Sequence, residues 1–115
     1  MLLNLSNHPS SKWTPAQLSA AIEQYGSVED WPFPNIAPEA TVDDIRLLAE
    51  QYTDKIRRAD PMAVHLMGEM TFTFRLVTML QAVGMPCIAS TTHRTVEERD
   101  GKKIVLFEFV QFRHY

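Results

Sequence analysis

The chain has 115 residues, of which 45% are hydrophobic and 22% charged, and its formal net charge is −3. This length is enough for one domain with a real core but not for two, and the hydrophobic content excludes a mostly disordered chain. The acidic balance, with no long basic run, argues against binding of duplex nucleic acid through a basic surface. Binding of a small anionic ligand in a local site is still compatible with this net charge.

A single cysteine, Cys87, excludes an internal disulfide and fits a reducing compartment. No apolar run approaches the roughly 20 residues that span a bilayer, and the N-terminus lacks the features of a signal peptide. We therefore expect a cytoplasmic protein without membrane contact. The four histidines show no metal-ligand spacing, so we expect neither a metal site nor a cofactor.

The first half of the chain predicts two strand–helix units. The apolar run Met1–Leu5 predicts a strand, and Thr14 is a typical N-cap for a helix that Gly26 ends. Ser27–Ile36 contains two prolines, which indicates a short strand at a sheet edge. Thr41 is then expected to cap the second helix.

The segment Met62–Arg94 predicts a parallel βαβ unit. Met62–Met67 is apolar enough for a buried strand, and Thr71 is expected to cap the helix that follows. Gly84 suits the left-handed position beyond that helix. A second strand then ends in the polar exit Ser90–Arg94.

Asp100 and Gly101 between two extended segments predict a hairpin with a two-residue turn. The turn pairs Arg99 with Lys102, Glu98 with Lys103, Val96 with Val105, and His93 with Glu108. The last strand, Ile104–Phe112, is apolar on both faces. It should therefore be covered on both sides within the chain or by a partner.

The element order βαβαβαββ predicts a single Rossmann-like α/β domain over residues 1–115, with three helices and a doubly wound, mostly parallel sheet. We expect strand order 2-1-3-4-5, with the C-terminal hairpin strand antiparallel. The switch point then lies between strands one and three, where such folds bind ligands. The loops Ser6–Trp13 and Gly68–Thr71 part there and open a crevice, with Ser90–Arg94 as their neighbour on strand four.

The residue types at this edge of the sheet indicate an anion site. A helix N-terminus near Thr71 offers unpaired N–H groups, several hydroxyls follow strand four, and Lys12, His93 and Arg94 are the nearby cations. The candidate ligand-binding residues are Asn7, Ser10, Lys12, Gly68, Glu69, Thr71, Ser90, Thr91 and Thr92. Neither a dinucleotide fingerprint nor a Walker loop is present. Glu69 would repel a phosphate and better suits a sugar hydroxyl, an adenine amino group or a partner's arginine.

Each feature also has a purely structural interpretation. Ser90–Thr92 is equally well explained as a run of β-formers near an exposed edge. His8, which precedes Pro9, is more often a turn residue than a catalyst. His65 lies inside an apolar strand and is expected to be a core histidine with its hydrogen bonds satisfied.

Three short motifs, the turn SNHP after the first strand, GEMTF after the third and ASTTHR ending the fourth, resemble the small stand-alone CRISPR-associated Rossmann-fold (CARF-like) proteins. The likeness spans nearly the whole chain. It implies binding of a cyclic oligoadenylate across a homodimer two-fold and, in some members, slow metal-independent cleavage. By position, Gly68, Glu69 and Thr71 match the third-strand motif, and Ser90, Thr91, Thr92 and Arg94 match the fourth. Glu69 and the negative net charge depart from what a polyanion site favours.

The resemblance implies a ring nuclease of CRISPR antiviral signalling, in which a ribose 2′-OH attacks the adjacent phosphate. In that interpretation the catalytic residues are His8, as general acid or base, and Arg94, which stabilises the developing charge. One alternative is a sensor or sponge that binds the cyclic nucleotide without cleaving it. Another is an interaction protein without a small ligand, whose last strand docks a partner or a second copy. A homodimer is expected in all three.

Overall fold

The computed structural model describes residues 1–115 and contains five strands and three α-helices. The strands are β1 (Leu2–Ser6), β2 (Val28–Pro32), β3 (Ala63–Met67), β4 (Cys87–Arg99) and β5 (Lys102–His114). The helices are α1 (Pro15–Tyr25), α2 (Val42–Ala59) and α3 (Met70–Ala82), and a short 3-10 helix, Ser10–Lys12, precedes α1. None of the helices combines the length and the apolar character needed to cross a membrane.

The strands form one sheet in the order β2-β1-β3-β4-β5. All neighbours are parallel except β4 and β5, which are antiparallel. The predicted α/β class and strand order are confirmed. The point where the direction of winding reverses therefore lies between β1 and β3, and both strands are buried there.

The two faces of the sheet carry different helices. Leu3 and Leu5 of β1 belong to the larger core cluster, which includes residues of α2 and α3. Leu2 points the other way, as alternation along a strand requires, and packs in a smaller cluster with Ala21 of α1. The core cluster on the face covered by α1 is therefore the smaller of the two, which leaves room for a crevice.

Helix caps follow the sequence signals at α1 and α2 but not at α3. The Thr14 side chain accepts a hydrogen bond from Gln17 N, and Thr41 forms a full capping box with Asp44. The predicted cap at Thr71 is wrong, because Glu69 is the N-cap and α3 begins one residue after it. A carboxylate has two acceptor oxygens and is stabilised by the positive end of the helix dipole.

The β4–β5 hairpin is longer than predicted and extends beyond the rest of the sheet. All four predicted cross-strand pairs are confirmed, and β5 runs from Lys102 to His114. β3 pairs only with Cys87 and Ile88, at the start of β4. The distal hairpin therefore has exposed apolar side chains, with Phe107 60% exposed.

Candidate functional site

A crevice of about 420 Å³ opens on the α1 face of the sheet, at the carboxyl ends of β1 and β3 and along the inner hairpin. We call it the switch-point crevice. It is lined by Ser6, His8, Lys12, Trp13, Thr14, Gln17, His65, Met67, Ser90, Thr92, Phe107 and Phe109. Its volume lies within the range of about 300–1,000 Å³ that is usual for small-molecule sites.

A buried hydrogen-bond network centred on Asn4 supports the floor of the crevice. The Asn4 amide Nδ2 donates to His8 O at 2.8 Å and to Asp30 Oδ1 at 2.7 Å. Asp30 also accepts from the backbone N and the hydroxyl of Ser10, at 2.9 and 2.6 Å. The network thereby holds the loop after β1 against β1 itself and against the neighbouring β2.

The charge of Asp30 fits this role as an acceptor. Partial burial raises the pKa of its carboxyl, but hydrogen bonds from Ser10 and Asn4 outweigh burial and hold the pKa below the ordinary value of 3.8. Hydrogen bonds to the charged form of a carboxyl stabilise that form. Asp30 is therefore ionised at neutral pH and fixes the orientation of the Asn4 amide.

His65 lies beside Asn4 on the adjacent strand, and the network determines its tautomer. Nδ1 of His65 is 2.9 Å from Asn4 Oδ1. Because the Asn4 nitrogen faces two acceptors, its oxygen faces His65, and an oxygen without hydrogen can only accept. Nδ1 therefore carries the proton.

The other ring nitrogen of His65 has no partner. The side chain is 2% exposed, and Nε2 is buried without any hydrogen bond. Burial, together with repulsion from His8, lowers the pKa of His65 from 6.5 to about 4, so the ring is neutral at pH 7. The prediction of a satisfied core histidine is correct for burial and for Nδ1 but wrong for Nε2.

Aromatic rings surround this histidine and form the walls of the crevice. The Trp13 and Phe112 rings lie edge-on to His65 at centroid distances of 5.2 and 5.6 Å. Trp13 Nε1 donates to His8 O at 3.0 Å, which fixes the indole. Phe107 and Phe109 form the hairpin side. The crevice therefore offers flat apolar faces close to polar atoms.

A β-bulge brings the hairpin rings to this face. Thr91 pairs with Gln111 and Thr92 with Phe109, so Val110 is an extra residue on β5. In a regular strand Phe109 and Phe112 would point to opposite faces, because they are three positions apart. The bulge places both on the crevice side, with their centroids 5.0 Å apart. Bulges commonly redirect side chains in this way beside functional sites.

The crevice is locally basic although the chain is acidic overall. Lys12 and His8 line it, and no aspartate or glutamate does. The carboxylate of Asp30 lies behind the loop, where Ser10 and Asn4 occupy its oxygens. An anionic group entering the crevice therefore meets a lysine and hydroxyl groups.

A model of the uncharacterized protein MJ1673 family matches residues 1–113. The chain belongs to the MJ1673 family. No curated protein and no solved structure matches it. The matched span contains every residue that lines the crevice, so the site lies in the part of the chain that the family model describes. The resemblance to CARF-like proteins stays a prediction beside this assignment.

In this member of the MJ1673 family, four of the predicted site residues line the crevice: His8, Lys12, Ser90 and Thr92. Ser10 lies behind it and binds Asp30, while Asn7 borders a depression on the β2 side. Thr91 is absent from the lining, and its hydroxyl donates to Gln111 O at 3.2 Å on β5. Arg94 pairs with Phe107, two pairs beyond the Thr92–Phe109 pair toward the hairpin turn, and so lies at the outer rim.

The predicted third-strand group does not line the crevice. A Cβ on Gly68 would lie 2.3 Å from the Phe33 ring, so glycine allows the ring to pack directly against the backbone here. The Glu69 carboxylate accepts from the backbone N–H groups of Thr71 and Phe72. The hydroxyl of Thr71 also donates to it and lowers its pKa below the ordinary value of 4.5. The helix N–H groups expected to bind an anion are therefore already occupied.

Several lining residues were absent from the sequence prediction, and the network behind them was missed as well. Asn4 and His65 are the polar residues in the middle of two mostly apolar strands. Buried polar side chains nearly always have partners, so their equivalent positions on adjacent strands were an available signal. The rings of Phe107 and Phe109 had no such signal, because the bulge that orients them leaves no clear mark in the sequence. The structure brings together no group of three or more histidine, cysteine, aspartate or glutamate side chains suited to a metal ion.

Proposed function

We propose that the protein binds a cyclic oligoadenylate across a homodimer and cleaves it as a metal-independent ring nuclease of CRISPR antiviral signalling. The observation that carries the proposal is the lining of the switch-point crevice. Trp13, Phe107 and Phe109 offer aromatic faces for adenine, and Lys12 offers a charge for phosphate, without a competing carboxylate. Aromatic stacking combined with a basic groove is how proteins commonly hold single-stranded nucleic acid.

The size of the crevice supports a dimeric arrangement. A volume of about 420 Å³ is near the lower end of the range for sites of single drug-sized ligands. A cyclic oligoadenylate contains three or more nucleotides, so one crevice holds only part of the ring. Two crevices that face each other across a two-fold axis hold the whole of it. The apolar hairpin gives a second copy a surface to pack against, since Val105 and Val110 are 40% and 47% exposed.

The proposed reaction uses groups of the ligand and of the crevice. A ribose 2′-OH attacks the adjacent phosphorus, the bond from phosphorus to the 5′ oxygen breaks, and a 2′,3′-cyclic phosphate and a 5′-OH result. His8 accepts the 2′-OH proton or protonates the leaving oxygen, the role that histidine takes most often in general acid–base catalysis. Lys12 stabilises the charge on the phosphate, and Arg94 approaches from the outer rim.

Cleavage is tested by incubating the pure protein with cyclic tri-, tetra- and hexa-adenylate in EDTA and following linear products. We expect products that end in a 2′,3′-cyclic phosphate. His8→Ala should abolish cleavage, while His114→Ala is the matched control because His114 does not line the crevice. If wild-type protein cleaves no ring, the enzyme proposal is wrong.

A sensor or sponge that binds without cleaving is the second candidate. The neutral, low-pKa state of His65 favours it, because a ring that is neutral at pH 7 places no positive charge next to a reacting phosphate. In that case a cyclic oligoadenylate raises the melting temperature of the protein but yields no linear product. The same incubation, followed by a thermal-shift measurement, separates the two candidates.

A further inference from the structure

We infer that Nε2 of His65 is the hydrogen-bond acceptor for an N–H or O–H group of the ligand at the floor of the crevice. The inference rests on the proposed function and adds a contact that selects among ligands. In a cyclic oligoadenylate the available donors are the adenine 6-amino group and the ribose hydroxyl.

The first step of the argument is the missing partner. His65 is 2% exposed and lines the crevice, and its Nε2 has no hydrogen bond within the chain. Native proteins rarely leave a buried polar atom in this state, because each one costs free energy relative to the unfolded chain. A ligand atom that donates to Nε2 satisfies this buried nitrogen.

The second step is the chemical character of that atom. The Asn4 amide donates to His8 O and to Asp30 Oδ1, so its oxygen requires Nδ1 of His65 to be the donor. A neutral imidazole with its proton on Nδ1 has a lone pair on Nε2. The pKa of about 4 agrees with a neutral ring at pH 7.

The third step is what this lone pair excludes. A carbonyl or phosphate oxygen placed against Nε2 would meet another acceptor, which is repulsive. The phosphates are therefore directed to Lys12, and a base edge or a sugar hydroxyl lies over His65. The edge-on rings of Trp13 and Phe112 hold the imidazole in place, so it cannot turn to offer a donor.

The acceptor character is measured directly by ¹⁵N NMR of histidine-labelled full-length protein without ligand. We expect His65 to show a protonated Nδ1 and an unprotonated Nε2 at pH 7. A protonated Nε2, in either a neutral or a charged ring, would overturn the inference while leaving the proposed function intact.

The contact itself is measured with two variants that each keep a polar atom near the position of one ring nitrogen. His65→Asn retains a polar atom near the Nδ1 position but none at Nε2, whereas His65→Gln places an amide oxygen near Nε2. Binding is measured in the His8→Ala background, so that the cyclic nucleotide is not cleaved. The probes are cyclic tetra-adenylate, its inosine analogue and its 2′-deoxy analogue. The inosine ring lacks the amino group, and the deoxy ring lacks the hydroxyl.

We expect His65→Asn to weaken binding of cyclic tetra-adenylate about tenfold and His65→Gln to weaken it much less. One of the two analogues should bind about tenfold more weakly than the parent ring, and this penalty should disappear in His65→Asn. The analogue that shows this behaviour identifies the donor. A purely structural role would instead make His65→Gln, which loses the Asn4 contact, the less stable and weaker-binding variant. If cyclic tetra-adenylate binds but neither analogue shows a penalty that depends on His65, the inference is wrong and the proposed function stands. If no cyclic nucleotide binds, both the inference and the proposed function are wrong.

Discussion

Asn4 and His65 occupy paired positions on the adjacent parallel strands β1 and β3, and Asn4 Oδ1 is 2.9 Å from His65 Nδ1. Both side chains are almost fully buried, at 1% and 2% exposure. Through Asn4 this pair is joined to Asp30 on β2 and to the loop that carries His8. The Asn4–His65 pair therefore connects three strands at the switch point and forms the floor of the crevice.

Replacement of the central amide should destabilise the fold. Asn4→Ala leaves His65 Nδ1 and Asp30 with one partner fewer, so we expect the free energy of unfolding to fall by about 1–3 kcal/mol. Urea unfolding followed by circular dichroism measures it. Asn7→Ala, at an exposed position in the loop that follows β1, is the control and should change stability by less than about 0.5 kcal/mol. Equal losses in the two variants would show that the network contributes nothing.

Stability should depend on pH through His65. Burial, with repulsion from His8, lowers its pKa from 6.5 to about 4, so between these values the unfolded chain binds a proton that the folded chain does not. The free energy of unfolding should therefore fall, by about 3 kcal/mol in all, as the pH falls from about 6.5 to about 4. Asp30 and Glu69 have lowered pKa values, so their contributions are lost as the pH falls below their ordinary values of 3.8 and 4.5, at the lower end of this interval and beyond it.

Urea titrations across this pH interval test the assignment, with His65→Gln as the comparison. The variant should be nearly insensitive to pH over the same interval because glutamine does not titrate. The same slope in both proteins would assign the effect to other groups.

A methyl group at Gly68 should act on packing rather than on the ligand. A Cβ there would lie 2.3 Å from the Phe33 ring, which packs edge-on against Phe72 at 5.5 Å. We expect Gly68→Ala to lower the free energy of unfolding by about 1–3 kcal/mol. In a Phe33→Ala background the same change should cost much less. An unchanged cost in that background, measured by urea unfolding, would contradict the packing role.

The hairpin offers a matched pair of residues for the proposed stacking. Phe107 lines the crevice and is 60% exposed, while its neighbour Leu106 is 37% exposed and points to the opposite face. Phe107→Ala should weaken binding of cyclic tetra-adenylate about tenfold or more, since one stacked base contributes about 1–3 kcal/mol. Leu106→Ala should leave contacts in the crevice unchanged. Isothermal titration of both variants measures the two affinities. Equal losses of affinity would argue against stacking of a base on the Phe107 ring.

The architecture was largely predictable because its signals are local and agree with one another. The turn at Asp100–Gly101 sets the hairpin register, and the caps at Thr14 and Thr41 mark two helix starts. Strand order 2-1-3-4-5 then follows from right-handed crossovers. At α3 the sequence predicts Thr71 as the cap, whereas the carboxylate of Glu69, two residues earlier, caps the helix in the structure.

The crevice was predictable in position but not in composition. Loops at the switch point place His8 and Lys12 there, as expected from topology. The aromatic wall depends on the extra residue Val110, and whether a strand bulges is decided by tertiary packing rather than by local sequence. The unpaired nitrogen of His65 likewise depends on how the Asn4 amide is oriented by residues distant in sequence.

The central claim, that the switch-point crevice binds a cyclic oligoadenylate across a homodimer, is tested most directly by isothermal titration of full-length protein with cyclic tri-, tetra- and hexa-adenylate. We expect saturable binding of at least one ring, with one ring per two chains, and a much weaker interaction with linear adenylate. Absence of heat with all three rings would contradict the claim, and so would one ring per chain.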